Sequence, residues 1–149
     1  MAQAFANRDD IDVDFVFSGR DADKYFDMEC FGDYRTYAGL SFITHNGRVD
    51  RLATVSQAKP LQLLKDIKRF DLTGYDILLN DFEPVTAWAA KRQGLPSISI
   101  SHQASFSHNV PKEGDGPLDH LIMRYFAPSD IQLGVHWYHF NNPIMPPFV

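Results

Sequence analysis

Residues 76–103 read DILLNDFEPVTAWAAKRQGLPSISISHQ, and this stretch decides the fold. It opens with a short apolar run between polar residues, which is typical of a buried parallel strand. A helix is predicted from Pro84, because proline suits the first helical position, and Gly94 suits the position just past its end. Ser97 to Ser101 then alternates with period two and predicts a second strand. A helix between two strands requires parallel pairing with a right-handed crossover.

Similar elements are predicted on both sides of this stretch. The run Ile11 to Phe17 changes from alternating to wholly apolar and predicts a strand that stops at Ser18-Gly19. The sequence therefore predicts an α/β protein with a Rossmann-like, mostly parallel sheet and flanking helices. The other predicted segments are a short helical piece in Met1 to Asn7, a strand at Tyr34 to Tyr37, a long exposed loop from Gly39 to Val49, helices from Pro60 and Pro117, and a last strand at Ile131 to Val135.

Composition limits the possible partners and compartments. The chain has 149 residues, 44% hydrophobic and 22% charged, which is about one globular domain. Its net charge is −5 and its cations are scattered, so we expect no nucleic-acid partner. Apolar runs are too short to cross a bilayer and no signal-peptide pattern is present, so we expect no membrane span and a cytoplasmic location. The single cysteine, Cys30, is expected to be a small core residue.

Candidate site residues follow from the topology. Ligands of open parallel sheets bind outside the carboxyl ends of the strands, so the residues that follow each strand are the candidates. We expect Asp81 and His102 to act in catalysis. The expected substrate-binding residues are Glu83, Gln103, Ser105, Ser18 and Arg20.

Each candidate also has a structural alternative. Asp81 and Glu83 lie where a carboxylate caps the free amides of a helix N-terminus, and Pro84 makes a cap at Glu83 the favoured interpretation. For Asp81 the alternative is a general base or an acceptor of a ligand hydroxyl. His102 ends a strand, where an imidazole faces any bound ligand, although surface histidines are also common.

Several other site types are absent from the sequence or weakly indicated. No GxSxG elbow, Walker loop or GxGxxG fingerprint occurs, which disfavours a serine hydrolase and a self-contained nucleotide site. His136 and His139 form a His-x-x-His pair, but no helix is predicted to bring both to one face, so we expect no metal site.

The stretch Asp81 to Pro84, the helix with Trp88, the run Gly94 to Ile98 and the triplet Ser101 to Gln103 together resemble the N-terminal half of GT-B glycosyltransferases. In particular they resemble bacterial and archaeal glycosyltransferases related to the peptidoglycan N-acetylglucosaminyltransferase. The resemblance covers nearly the whole chain. It implies that this half binds the acceptor, a sugar or a lipid-linked molecule.

The resemblance also implies what lies elsewhere. A second Rossmann-like domain would bind the nucleotide-sugar donor, expected to be a UDP-sugar, so this chain is expected to bind no cofactor and to be inactive alone. We expect the acceptor-side domain in residues 1–142 and the start of an interdomain linker in 143–149. The family normally begins with a strand and a glycine-rich loop, whereas this chain starts inside the first helix. We therefore expect the sheet either to close the gap of the missing strand imperfectly or to associate with another chain, as a homo-oligomer or with a donor-domain partner.

Two alternatives from other functional classes stay open. The chain could be a non-catalytic binding subunit that pairs with a separate donor-binding chain. It could also be half of a nucleotide-sugar epimerase, which uses the same two-domain fold without an acceptor.

Overall fold

The computed structural model describes residues 5, 8–40, 44–45, 48–49, 59–112 and 116–148. Two compact units make up the chain, Met1–Asp66 and Ile67–Val149, and each is described by itself. Both contain parallel strand pairs, and helices flank the larger sheet, so the expected α/β class is confirmed. No helix in the described ranges is long and apolar enough to span a bilayer.

The first unit contains a parallel pair of short strands. Strand β1, Phe15–Ser18, pairs with β2, Tyr34–Tyr37, so that Phe15 lies opposite Tyr34. Two 3-10 turns, Ala22–Lys24 and Glu29–Phe31, make the crossover in place of an α-helix. The Phe17 ring contacts the rings of Tyr25, Phe31 and Tyr34 at centroid distances of 4.9–5.8 Å, which packs this crossover against the strands.

Two expectations for the first unit are wrong. Cys30 is exposed, because it lies on the outside of a 3-10 turn that contains no buried residue. The predicted loop from Gly39 to Val49 contains two short strands, β3 at Thr44–His45 and β4 at Arg48–Val49, which pair antiparallel. Of the helical piece expected in residues 1–7, only Phe5 is described, and it is helical.

The second unit contains a four-stranded parallel sheet whose strands lie side by side in the order Leu78–Asn80, Ser97–Ser101, Ile131–Val135 and Ile144–Met145. Helix α1 runs from Pro60 to Arg69 and crosses the boundary between the units in the sequence. The remaining elements are β5, Leu78–Asn80; α2, Pro84–Gln93; β6, Ser97–Ser101; a 3-10 turn, Gln103–Ser107; α3, Pro117–Tyr125; β7, Ile131–Val135; and β8, Ile144–Met145. The predicted helices and strands of this unit are therefore confirmed.

Helix α2 packs on the serine face of β6. Asn80 lies opposite Ser99 in the β5–β6 register, and residues paired in this way share a face of the sheet. The Asn80 amide donates to Thr86 Oγ1 on α2 at 3.0 Å, so this face is the one that α2 covers. Val85 and Ala89 on α2 are fully buried, whereas Trp88 is only half-buried.

The buried serines of β6 all have polar partners. The Ser97 amide and hydroxyl donate to the Asp130 carboxylate at 2.9 and 3.0 Å. Ser101 Oγ accepts from the Ala104 amide at 2.9 Å, at the other end of the strand. Because hydroxyls without partners would be costly in this interior, these bonds allow small polar residues on a buried face.

Strand β8 lies at the edge of the sheet, in the proline-rich tail. The Gly134 amide donates to the Pro143 carbonyl at 3.1 Å, and Ile144 is 8% exposed. The prolines flank the pairing residues, which is compatible with an edge strand. The domain boundary expected at residue 142 stays a prediction.

Candidate functional site

The turn between β5 and α2 is fixed by the side chain of Asn80. Its Oδ1 accepts from the Glu83 amide at 2.9 Å, and its Nδ2 donates to the Glu83 carbonyl at 2.8 Å. Phe82, inside this turn, has φ of 52°, a left-handed conformation that is rare for a bulky residue. Its ring stacks on Phe126 at 4.7 Å, which helps to hold that conformation.

Asp81 is the first residue after β5 and is exposed. The chain packed around its carboxyl group nevertheless removes part of the water there, and this desolvation raises the pKa of Asp81 above its ordinary value. No hydrogen bond or ion pair to this carboxyl group is found within the described ranges. Asp81 is therefore not the helix cap, and its oxygens are available to the hydroxyl groups of a ligand.

Glu83 is the N-cap of α2. One carboxylate oxygen accepts from the Val85 amide at 2.7 Å, and the other accepts from the Thr86 amide at 2.7 Å and the Thr86 hydroxyl at 2.6 Å. The bonds satisfy amides that the first helical turn leaves without partners, and the negative charge lies at the positive end of the helix dipole. The substrate-binding role of Glu83 stays a prediction, and this geometry favours the structural alternative.

His102 directly follows β6 and is exposed. Its Nδ1 lies 3.2 Å from the Val135 carbonyl oxygen, at the end of the neighbouring strand β7. Because a carbonyl only accepts, Nδ1 carries the proton and donates, and Nε2 of the neutral ring keeps its lone pair. The Phe106 ring meets the imidazole edge to face at 5.1 Å. His102 therefore has one ring nitrogen fixed by the sheet, and among the residues that the structure describes no hydrogen bond to the other is found, so this nitrogen can accept a proton.

His136 is a further residue of this edge that the sequence reasoning considered only as a metal ligand. It directly follows β7 and stacks on His102, with ring centroids 5.6 Å apart and an interplanar angle of 19°. The Tyr138 amide donates to His136 Nδ1 at 3.1 Å, and the Tyr138 carbonyl oxygen lies 3.3 Å from the same nitrogen, so either tautomer of His136 finds a partner here. Ligand-binding residues follow the carboxyl ends of parallel strands, and this rule, applied to β7, would have identified His136.

The two histidines of the His-x-x-His pair have different ring contacts. His136 packs on His102 and Phe140, whereas His139 stacks on Tyr138 at 5.1 Å. Each Nδ1 accepts from a backbone amide two residues ahead. Among the residues that the structure describes, no group of three or more His, Cys, Asp or Glu side chains could hold a metal ion.

The remaining candidates after β6 differ in exposure. Gln103 is half-buried at the start of the 3-10 turn. Ser105 is 2% exposed, and its hydroxyl donates to the Val135 carbonyl at 3.4 Å. A Cβ on Gly134 would lie 2.5 Å from Ser105 Oγ, so the glycine makes room for the 3-10 turn over β7. The substrate-binding role of Ser105 stays a prediction that this burial does not favour.

Ser18 and Arg20 belong to the first unit. Ser18 ends β1, and Gly39 packs so closely that a Cβ there would lie 2.5 Å from Ser18 Oγ. The Gly19 amide donates to the Ala38 carbonyl at 3.1 Å, which closes the turn against the segment after β2. Arg20 is exposed beyond this turn. Both residues lie at a carboxyl strand end, as expected, and their predicted substrate contacts stay predictions.

The second unit is thus an α/β structure whose parallel sheet carries Asp81, His102 and His136 directly after three consecutive strands. The family model described as glycosyl transferase family 1 matches residues 3–122, well over half of the chain. This chain belongs to glycosyl transferase family 1. Searches of the curated proteins and of the solved structures find no match. The resemblance to glycosyltransferases is confirmed at the level of this family, and a closer relation to the peptidoglycan enzyme stays a prediction.

Proposed function

We propose that this chain binds the acceptor in sugar transfer from a nucleotide sugar, and that His102 accepts the proton of the attacking hydroxyl. The observation that carries the proposal is the bond between His102 Nδ1 and the Val135 carbonyl. It fixes the tautomer in which Nε2 is unprotonated, and the side chain is exposed, as a general base requires. Membership of a glycosyl transferase family supports sugar transfer as the reaction.

The proposed chemistry is a displacement at the anomeric carbon of the donor. His102 Nε2 takes the proton from an acceptor hydroxyl, and the oxygen forms the new bond to the anomeric carbon. The bond from that carbon to the diphosphate breaks, and the diphosphate leaves with the electron pair. The exposed Asp81 carboxylate accepts a hydrogen bond from a second hydroxyl and orients the acceptor.

The donor is proposed to bind outside this edge. Residues 81–83, 102–107 and 136–142 contain no lysine or arginine, and a leaving diphosphate needs cationic or dipolar stabilisation. This composition supports a neutral acceptor here and a UDP-sugar held by a second domain or chain. Activity of the chain by itself is then not expected, whereas acceptor binding is.

Replacement of His102 tests the proposal. His102→Gln keeps a polar side chain but removes the base, and His139→Gln removes an exposed histidine of the same edge as the matched control. Sugar transfer from UDP-sugars is measured with the full chain together with its donor partner. In His102→Gln we expect proton transfer to be lost and the transfer rate to fall by about 10²–10⁴-fold. Acceptor binding to the full chain is measured in parallel by ligand-observed NMR.

Equal transfer rates in the two variants would show that His102 is not the general base. Formation of a second nucleotide sugar without any acceptor would instead indicate epimerisation. Binding of acceptor and of a donor-binding chain, with no dependence of transfer on His102, would favour the non-catalytic subunit.

A further inference from the structure

The loop between β7 and β8, residues 136–143, connects parallel neighbours with an unusually short segment. Parallel strands ordinarily need a connection of a dozen or more residues. Here Phe140 and Asn141 turn the chain with φ of 48° and 57°, two consecutive left-handed residues without a glycine. A left-handed phenylalanine costs free energy, and such strain persists only where the surroundings impose it.

Hydrogen bonds hold this β7–β8 loop in place. The His136 amide donates to the Met145 carbonyl at 2.9 Å, and the Asn142 amide donates to the His139 carbonyl at 2.8 Å. The Asn142 side chain donates to the carbonyls of Phe140 and Asn109 at 2.9 and 3.1 Å, which ties the loop to the segment after the 3-10 turn. The aromatic residues of the loop are therefore carried on a fixed backbone.

Trp137 is the most exposed large side chain of this loop. It is 87% exposed, and it directly follows His136, whose ring stacks on His102. By contrast, the Phe140 ring packs on both His136 and Tyr138, at 5.6 and 4.9 Å. The loop thus packs the His136 ring against the proposed base and leaves an indole in water one residue further along.

The composition of the loop selects among possible ligands. Residues 136–142 read HWYHFNN and contain no permanently charged side chain, so neither a phosphate nor an ammonium group finds a counter-ion there. Imidazoles and amides are interspersed with the aromatic rings, which makes the surface too polar for a lipid chain. A pyranose combines a face of C–H groups, which packs on the negative face of an indole, with hydroxyls that bond to imidazole and carboxylate.

We propose that Trp137 is the platform on which the acceptor binds, and that the acceptor is a neutral pyranoside. This inference rests on the proposed function, because His102 and Asp81 are the groups that take the hydroxyls of the same sugar. It adds the class of the acceptor and a residue that selects it. The short, strained loop carries Trp137 next in the sequence to His136, whose ring stacks on the base.

Fluorine NMR of the full chain labelled with 5-fluorotryptophan tests the proposal. The sequence has two tryptophans, so Trp88 provides an internal control: it is half-buried and its indole N–H donates to the Tyr125 carbonyl at 3.0 Å. On titration with methyl β-D-glucopyranoside, methyl β-D-galactopyranoside and the N-acetylglucosamine methyl glycoside, at least one sugar is expected to shift the Trp137 signal and leave the Trp88 signal unchanged.

Substitution then measures the contribution of the ring. Trp137→Ala is expected to weaken binding of that sugar at least tenfold, whereas Trp137→Phe keeps an aromatic face and loses less than fivefold. Because Trp137 is 87% exposed, both variants should melt within about 2 °C of the wild type, so a loss of binding cannot be assigned to unfolding.

The outcomes separate this inference from the proposed function. If a pyranoside binds and depends on His102, but the Trp137 signal does not move and Trp137→Ala binds normally, the platform is wrong and the function stands. If only 4-methylumbelliferone or farnesyl phosphate binds in a manner that depends on His102, the acceptor class is wrong. If neither the sugars nor these probes bind, the acceptor-binding function falls together with the inference.

Discussion

The imidazole rings of His102 and His136 lie nearly parallel, with centroids 5.6 Å apart, although the two residues are 34 positions apart in the sequence. Each follows a strand directly, and β6 and β7 are paired so that Ser101 lies opposite Gly134. The pairing register brings the residues after both strands to the same edge. His102 Nδ1 reaches the last carbonyl of β7, while His136 packs against the face of the His102 ring.

The His102 ring is expected to hold a single tautomer. It should carry its proton on Nδ1, because the Val135 carbonyl oxygen can only accept a hydrogen bond. Long-range ¹H–¹⁵N spectra of the imidazoles distinguish the two forms. His136→Phe keeps a flat ring and should preserve the His102 tautomer, whereas His136→Ala should allow the ring to turn and mix the forms. Identical His102 spectra in all three proteins would mean that the stack does not position the base.

Replacement of Asp81 should stabilise the fold at neutral pH. Desolvation raises the folded-state pKa of Asp81 above the ordinary value of 3.8, so the folded chain holds the proton more tightly than the unfolded chain. Stability is therefore lost as the pH rises from that ordinary value through the folded pKa. Asp81→Asn removes this cost and should melt above wild type at pH 7, with the difference vanishing as the pH falls below the ordinary value.

Asp71→Asn is the matched control, for which the expected change in melting temperature at pH 7 has the opposite sign. The Thr73 hydroxyl and amide donate to Asp71 at 2.7 and 3.0 Å and lower the pKa of that carboxyl. Its stabilising effect is present above the ordinary value and is lost as the pH falls through the lowered pKa. This variant should melt below wild type at pH 7. Thermal melts that shift in the same direction for both variants would contradict the desolvation of Asp81.

Removal of the Glu83 cap should destabilise the protein. Glu83→Ala leaves the Val85 and Thr86 amides without their acceptor, and losing an N-cap costs about 1–2 kcal/mol. Glu83→Gln retains a carbonyl oxygen and should lose less. Urea unfolding gives the free energies of unfolding of both variants. Acceptor binding is measured without urea, at a temperature where both variants are folded. A loss of binding in a fully folded Glu83→Gln would show that the carboxylate also contacts the substrate.

A side chain at Gly134 should displace the turn that carries His102. The Cβ of Gly134→Ala would lie 2.5 Å from Ser105 Oγ and 2.8 Å from Ile144 Cγ1, and such overpacking costs about 1–3 kcal/mol. Adding Ser105→Gly removes part of the clash and should recover part of the stability. The His102 imidazole signals report whether the turn has moved. If Gly134→Ala is as stable as wild type, Ser105 does not pack as described.

The part of the fold that local sequence signals control was predictable. Helix α2 begins and ends where Glu83, Pro84 and Gly94 indicated, because caps and left-handed C-termini depend on a few neighbouring residues. The positions of Asp81 and His102 after their strands followed from the same boundaries. Cys30 was misjudged, because average burial of a residue type does not reveal which side of a short turn it occupies.

The sequence by itself determined that strands and helices alternate and that polar residues follow the strands, since period, proline and glycine act over a few residues. Only the tertiary structure decided which of those residues meet. Parallel pairing sets β6 beside β7, and this brings His136 onto His102 across 34 positions. The absence of a Cβ at Gly134 lets the turn after β6 fold over β7, which buries Ser105 and leaves His102 at the edge. Register and close packing between distant segments leave no local pattern in the sequence.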